Sequence, residues 1–262
     1  MDTPYARVEQ LEAGVERLLA HNPSAFTFTG TQSYIVGTDS VAIIDPGPAL
    51  PDHIEALVQA LAGRQVAAIL CTHTHRDHSP AARPLAERTG APVVGCAPLA
   101  LEAVGPRADA SFDGDYRPDR VLQDGGTVEL GGDAIAAVAT PGHTSNHLCF
   151  AWRDVLFTGD HVMGWSTTVV VPPDGDMAAY MGSLDLLRQR EDRIYYPAHG
   201  PAVTNPQQYT RHLMGHRMHR ERQILKLIGD GAMEIPRIVT SAYAGLDPRL
   251  TAAAGGSVLA HL

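Results

Sequence analysis

Six residues constrain this chain more than any others: His73-Thr74-His75-Arg76-Asp77-His78, which follow directly on the apolar run Val66-Ala67-Ala68-Ile69-Leu70-Cys71. A β-strand ending in a turn dense with imidazole and carboxylate presents metal ligands on a loop, because neutral imidazole and carboxylate oxygen both suit zinc and its neighbours. Four donors in six residues are too many for one tetrahedral ion. They read as two pairs, His73 with His75 and Asp77 with His78, each belonging to its own metal. A histidine-rich surface turn arising by chance is the competing reading in a chain with 13 His. Three later segments weigh against it: Thr140-Pro141-Gly142-His143-Thr144, Phe157-Thr158-Gly159-Asp160 and Pro197-Ala198-His199-Gly200. Each sets a His or Asp at a glycine-containing turn after an apolar strand, where the backbone can bend sharply and aim a side chain at a common point.

The remaining pattern is mixed α/β. Residues 5 to 20 read as strand or loop with Val15, Leu18 and Leu19 facing inward. Strands are expected at Phe26 to Thr29, Ser33 to Val36 and Val41 to Asp45, with the turn Gly37-Thr38-Asp39-Ser40 between the last two. Apolar residues at Ile54, Leu57, Val58 and Leu61 predict a helix over Asp52 to Ala62, ended by Gly63. Strand, helix and metal-loop strand in that order make a crossover, so the sheet is at least partly parallel. A helix over Ser79 to Arg88, a strand at Pro92 to Val94, a helix at 98 to 104 and a loop at 105 to 119 follow. The second half is strand-rich: Thr127 to Leu130, Ala134 to Ala139, His147 to Trp152 and Val155 to Phe157. Met177 to Gln189 is helical, and Ile194 to Pro197 leads into the His199 turn. Residues 1–204 then make one domain and 205–262 a second, helical module with helices over Gln207 to Ile228, Ile235 to Ala244 and Pro248 to Leu262.

At its His-x-His-x-Asp-His run and the three later turns, the chain strongly resembles the metallo-β-lactamase fold superfamily over most of residues 25 to 204. The resemblance implies that His73, His75 and His143 hold one metal, that Asp77, His78 and His199 hold the second, and that Asp160 bridges them. It implies an α/β fold of the αββα sandwich type, and two divalent ions, Zn2+ first with Mn2+ or Fe2+ as alternatives. An Asp at the end of the third strand supports the metal loop in that superfamily, so Asp45 is a supporting residue on this reading; a turn-forming Asp before Pro46 is the alternative. The loop 164 to 176 lies close to Asp160, which makes Trp165, Ser166, Thr167 and Thr168 candidate substrate contacts. The segments after Asp160 and around Arg217 to Leu225 resemble the lactamase-beta-two-type branch, which includes single-strand-selective endoribonucleases. The tail of that branch is winged-helix-like, whereas this chain ends where strands of a wing would begin.

Charge and composition narrow the partners. A formal net charge of -9 disfavours nonspecific nucleic-acid binding and makes double-stranded DNA an unexpected partner. The basic residues of the long C-terminal helix read as a solvated face, with Arg217 the candidate contact for an anionic substrate; His212, His216 and His219 read as surface or packing residues. His161 either supports the site or merely follows Asp160. Three cysteines, Cys71, Cys96 and Cys149, sit in apolar runs and read as buried thiols rather than disulfides. No apolar run approaches the roughly 18 residues of a membrane span, and the first 30 residues lack the basic-then-apolar order of a secretory signal, so the cytoplasm is the expected location. The sequence specifies no oligomeric state.

Two divalent ions sharing a water lower its pKa and stabilise the oxyanion formed by its attack. Asp77 then has two duties, ligand and orienter of the nucleophile. The expectation is a metal-dependent hydrolase cleaving phosphodiesters of a single-stranded RNA kind. A small-molecule thioester or lactone, in the manner of glyoxalase II, is the second reading, and a one-iron persulfide dioxygenase the third. Asp160 counts against antibiotic hydrolysis, since true β-lactamases commonly lack a bridging aspartate.

Overall fold

Two β-sheets face one another, and the alternation of side chains along their strands decides which residues meet between them. The computed structural model describes residues 4–99, 112–231 and 234–262. The first sheet runs in chain order through β1 (Glu9–Glu12), β2 (Val15–Leu19), β3 (Gln32–Gly37), β4 (Ser40–Ile44), β5 (Gln65–Cys71), β6 (Val93–Gly95) and β7 (Arg120–Val121). Neighbours are antiparallel from β1 to β4 and parallel from β4 to β7. The crossover helices α1 (Pro51–Ala60) and α2 (Ala82–Thr89) make the parallel pairing possible. The second sheet contains β8 (Thr127–Glu129), β9 (Ala134–Ala139), β10 (Leu148–Trp152), β11 (Val155–Gly159) and β12 (Ile194–Pro197), antiparallel except for the parallel pair β11 and β12.

Strand residues two apart share a face. Leu148, Phe150 and Trp152 of β10, with Val155 and Phe157 of β11, therefore join β3, β4 and β5 in the core between the sheets. Cys149 and Leu156 point the other way, against Tyr180, Leu184 and Leu187 of α3 (Met177–Arg188) and Leu213 of α4 (Pro206–Gly229). The result is the αββα sandwich. Polar cross-links tie the sheets beside the His199 turn: Gln32 donates to the carbonyls of Pro197 at 3.0 Å and Gly200 at 2.6 Å, and the Tyr34 hydroxyl donates to Pro197 at 2.6 Å.

The C-terminal helices α4, α5 (Ile235–Ala242) and α6 (Thr251–Ala260), with a 3-10 turn at Pro248–Leu250, share a small core of Ile224, Ile238, Val239, Ala254 and Val258. Among the described residues no strand follows β12, so the C-terminal segment is helical as expected and lacks the strands of a winged-helix module. No helix of the described residues is long and apolar enough to cross a membrane.

Two expectations differ from the structure. Phe26 to Thr29 is a turn with one bridge, Ser24 to Phe28, instead of a strand. Local polar side chains capture its backbone: Ser24 Oγ accepts from the amides of Phe26 and Thr27, and the Thr27 hydroxyl donates to the Asn22 carbonyl. Residues 5 to 20, expected as strand or loop, supply two antiparallel strands, with Val15 and Leu18 buried as expected and Leu19 half-buried. The helix expected from Ser79 begins at Ala82, because the Ser79 and Ala81 amides are held by the carbonyls of His75 and Gly47 in the loop. The helix expected at 98 to 104 lies largely outside the described residues. Cys71, Cys96 and Cys149 are buried free thiols.

His53 of α1 is buried with Nε2 at 2.9 Å from the Ser33 hydroxyl, and burial lowers its pKa to about 4. An unfolded imidazole takes a proton below about pH 6.5, whereas this one resists until about 4. Its share of stability is therefore complete above about 6.5 and fades as pH falls, by ~3 kcal/mol in the limit. In chelator-treated protein, His53→Gln should reduce the loss of urea stability between pH 7 and pH 4.5 by about 2 kcal/mol. An identical loss in both proteins would show that His53 does not contribute.

Candidate metal centre

Parallel strands deliver their C-terminal ends to one edge of a sheet, where loops are free to carry chemistry. At that edge β4 delivers Asp45, β5 delivers the His73 to His78 loop, β11 delivers Asp160 and β12 delivers His199. The turn between β9 and β10 adds His143. Two glycines permit this convergence. At Gly159, with φ of 49°, a Cβ would lie 2.8 Å from both His147 Nε2 and Thr72 Oγ1; at Gly142, with φ of 139°, one would lie 2.3 Å from the Tyr180 Cα. Gly142→Ala should therefore push α3 off the His143 turn and cost about 2–4 kcal/mol in chemical denaturation. Wild-type stability would mean that the turn yields freely.

The donors form two groups. His73, His75, His143 and Asp160 each offer one atom within 4.8 Å of the others, and Asp77, His78 and His199 do the same. Asp160 faces both: Oδ2 is 3.6 Å from His143 Nε2, while Oδ1 is 3.5 Å from His78 Nε2 and 3.3 Å from His199 Nε2. Asp77 Oδ2 lies 3.4 Å from His78 Nε2 and 3.2 Å from His199 Nε2.

Hydrogen bonds on the far side of each ring decide which nitrogen faces inward. His78 Nδ1 donates to Asp45 at 2.9 Å, His143 Nδ1 to the Val169 carbonyl at 2.6 Å and His199 Nδ1 to the Gly30 carbonyl at 3.2 Å. The Thr72 hydroxyl donates to Asp45 at 2.8 Å, so at 3.0 Å it accepts from His73 Nδ1. Four rings thus turn an Nε2 lone pair toward the centre, and His75 turns its Nδ1, 3.0 Å from His73 Nε2 and 3.1 Å from His143 Nε2. His73 Nε2 and His143 Nε2, both acceptors, thus converge on the single His75 Nδ1, which can donate to only one of them, whereas a cation at their centre satisfies all three. Bonds of 2.0–2.1 Å to a tetrahedral ion put ligand atoms roughly 3.3 Å apart. In the second group His78 Nε2, His199 Nε2 and Asp160 Oδ1 are buried with no hydrogen-bond partner. Orphaned buried polar atoms of this kind are rare without an ion or water to satisfy them, so the residues present fit two divalent cations.

Electrostatics prepares the donors. Burial, then the neighbouring His143, holds His75 down to about 3, and burial with the surrounding imidazoles holds His73 well below its ordinary value. Both are neutral at physiological pH, the form that ligates. Burial opposes ionisation of Asp77 and Asp160, but His78 and His199 outweigh it and keep both carboxylates below their ordinary range. Conversely, burial disfavours a proton on His78 and His199, and the facing aspartates raise both. A cation arriving there displaces protons.

Asp45 is buried and accepts three hydrogen bonds, from the Thr72 amide and hydroxyl at 2.8 Å each and from His78. Sequence reasoning passed over His147, read only as the start of a strand. It is fully buried, its Nδ1 donates to Thr140 Oγ1 at 2.9 Å, and its Nε2 accepts the Asp160 amide at 3.3 Å. A polar residue opening an apolar strand seven positions after Thr140 was the available signal. Gln32 and the carbonyls of Gly30 and Val169 were missed as well, and backbone acceptors leave no trace in a sequence.

The remaining candidates divide. Trp165 lies against Gly200, next to His199, and stacks on Phe28 with ring centroids 5.0 Å apart. Ser166 and Thr167 are half-buried beside it. Thr168 turns inward, its hydroxyl donating to the carbonyls of Asp160 at 2.7 Å and His161 at 3.0 Å. Arg217 is not on a solvated face: it is buried beneath this loop, donates to the Thr168 carbonyl and lies 5.3 Å from the centre of the Tyr180 ring. The apolar positions of α4 that must face α3 carry it inward. His161 is buried against Tyr180, outside both donor groups. His212 and His219 are exposed and His216 half-buried, also outside them.

Comparison with known proteins agrees with this geometry. The model of the metallo-beta-lactamase superfamily matches residues 26–199, a span that includes all seven donors. An atrochrysone carboxyl ACP thioesterase of Aspergillus chevalieri is 31% identical over 256 residues, covering 92% of this chain and 76% of that protein. The beta-lactamase-like protein 2 homolog of Caenorhabditis elegans is 31% identical over 233 residues, covering 84% and 73%. Among solved structures, a metallo-beta-lactamase family protein from Thermus thermophilus superposes with a TM-score of 0.77 at 21% identity, covering 97% of this chain and 93% of that one. With the donors gathered at one edge of the sandwich and the family model running across every one of them, the chain belongs to the metallo-β-lactamase superfamily of hydrolytic enzymes.

Proposed function

We propose that the protein is a dinuclear metal-dependent hydrolase of acyl thioesters, with Zn2+ as its metal and Mn2+ or Fe2+ as alternatives of the same donor preference. The observation that carries the dinuclear reading is Asp160, whose two oxygens face two separate groups of imidazoles. A one-iron dioxygenase would leave the buried Nε2 atoms of His78 and His199 with only long contacts of 3.2 to 3.5 Å to Asp77 and Asp160.

Bound at these groups, the two ions would supply an acidified water and positive charge for the developing oxyanion. His73, His75, His143 and Asp160 would hold one, and Asp77, His78, His199 and Asp160 the other. Asp77 has the further task of orienting the attacking water. Its side chain is 25% exposed, the most open of the acids, and one oxygen already faces His78 and His199. The other oxygen is left to accept from the nucleophile.

The thioester follows from two supports. Three relatives at 30–31% identity, of which the alignments cover 66–76%, carry the name atrochrysone carboxyl ACP thioesterase. Beside His199, Phe28 is 45% exposed and stacks on Trp165, with Phe26 also exposed nearby in sequence, forming an aromatic wall suited to an apolar acyl group. Cleavage of single-stranded RNA is the second reading, favoured by the exposed Arg211, His212, His219 and Arg222 of α4. Arg217, the basic residue closest to the loop, is already engaged inside the protein.

A panel of aryl and alkyl acyl thioesters, single-stranded RNA, bis-p-nitrophenyl phosphate and an acyl-homoserine lactone, assayed on zinc-loaded enzyme, separates these readings. We expect kcat/KM on aryl thioesters to exceed that on the phosphodiesters by at least about 100-fold, as for a site that selects by transition-state fit. RNA cleavage outpacing every thioester would reverse the assignment.

A further inference from the structure

Arg217 is 3% exposed, and among the described residues no carboxylate pairs with it; its Nε has no partner at all. Burying a guanidinium without a counter-charge is costly. Its engaged N–H holds the Thr168 carbonyl, on a residue whose hydroxyl holds the backbone of Asp160 at 2.7 Å and of His161 at 3.0 Å. The next carbonyl, Val169, accepts His143 Nδ1 at 2.6 Å. Two consecutive residues of one loop therefore set the bridging carboxylate and one imidazole, and α4 grips that loop from below.

We propose that Arg217 is a positioning residue for the metal centre: by holding the Thr168 carbonyl it places Thr168 and Val169 so that they orient Asp160 and His143, and the C-terminal helices thereby help set cation affinity. The proposal rests on reading the two donor groups as metal sites. It makes Arg217 a partner of the centre and not of the substrate. Groups that hold the outer side of a ligand are worth about 10–100-fold in metal affinity; the loop supplies one directly, the Val169 carbonyl on His143, and through the Thr168 hydroxyl it fixes the backbone from which the Asp160 carboxylate projects.

The test uses the full chain with Arg217→Met, which keeps length but donates nothing, Arg217→Lys, Thr168→Val, which removes the hydroxyl and leaves the carbonyl, and the Met–Val double variant. Zn2+ affinity is read by chelator competition, ligand geometry by the visible spectrum of the Co2+-loaded protein, and folding by thermal melts. Arg217→Met and Thr168→Val should each weaken at least one cation-binding step by about 10-fold or more and alter the Co2+ spectrum. The double variant should be little worse than the worse single, because both act through one loop, and Arg217→Lys should recover part of the loss. Wild-type Zn2+ affinity and Co2+ spectrum in Arg217→Met, even with a lowered melting temperature, would overturn the proposal and leave a packing role. A raised KM for anionic substrates alone would overturn it in favour of substrate contact. Failure of the unsubstituted protein to bind two cations would instead sink the underlying reading of the centre.

Discussion

Asp160→Ala is expected to lower kcat/KM by about 1000-fold or more, since on the dinuclear reading it would remove one ligand from each cation and the charge that holds the pair together. Among the described residues no other side chain faces both donor groups, and its Oδ1 and Oδ2 lie within 3.3 to 3.6 Å of three different imidazoles. Removing the acid also strips His78 and His199 of one of the charges that raise their proton affinity. Asp160→Asn retains the shape and separates charge from space, and should fall between wild type and Ala. Metal per chain by elemental analysis should drop below two in both. Two tightly held ions and an unchanged rate in Asp160→Ala would mean that nothing is bridged there.

The second large effect is expected at Asp45, which lies outside both donor groups. Its carboxylate is 1% exposed and takes two bonds from Thr72 and one from His78. Asp45→Ala leaves three buried donors unsatisfied and asks alanine to adopt the φ of 49° that Asp tolerates better. The cost should be about 3–5 kcal/mol in chemical denaturation, the range for breaking a buried charged network. Cation affinity should fall about 10–100-fold as His78 loses its anchor. Asp45→Asn, which can still accept from the Thr72 amide, should recover part of both. Wild-type stability and affinity in the alanine variant would reduce Asp45 to a turn former ahead of Pro46.

What could be read beforehand follows from how much physics sits in short stretches of chain. Strands β3 to β5 and β8 to β12 announce themselves by short apolar runs bounded by turn residues, and the histidine turn announces metal ligands because no other common chemistry needs that density of donors. The Phe26 to Thr29 segment looked like a strand by composition, yet Ser24, Thr27 and Asn22 bend it into a turn through side chain to backbone bonds that hydropathy cannot register. Arg217 looked like an exposed contact for an anionic substrate because sequence shows its type and not its neighbours. Only the packing of α4 against α3 reveals that it lies under the active loop. His147 hid at the head of an apolar strand, and its bonds to Thr140 and the Asp160 amide depend on contacts between separate turns.

The first donor group takes His73 and His75 from one sheet and His143 and Asp160 from the other; the second takes Asp77 and His78 from one and His199 from the other. Neither half of the polypeptide therefore carries a complete donor group by itself. On the dinuclear reading, a chain whose two sheets have not yet closed on one another lacks the full set of ligands for either ion. Tight metal loading would then report that the sandwich is complete, and hydrolytic capacity would follow architecture and not precede it.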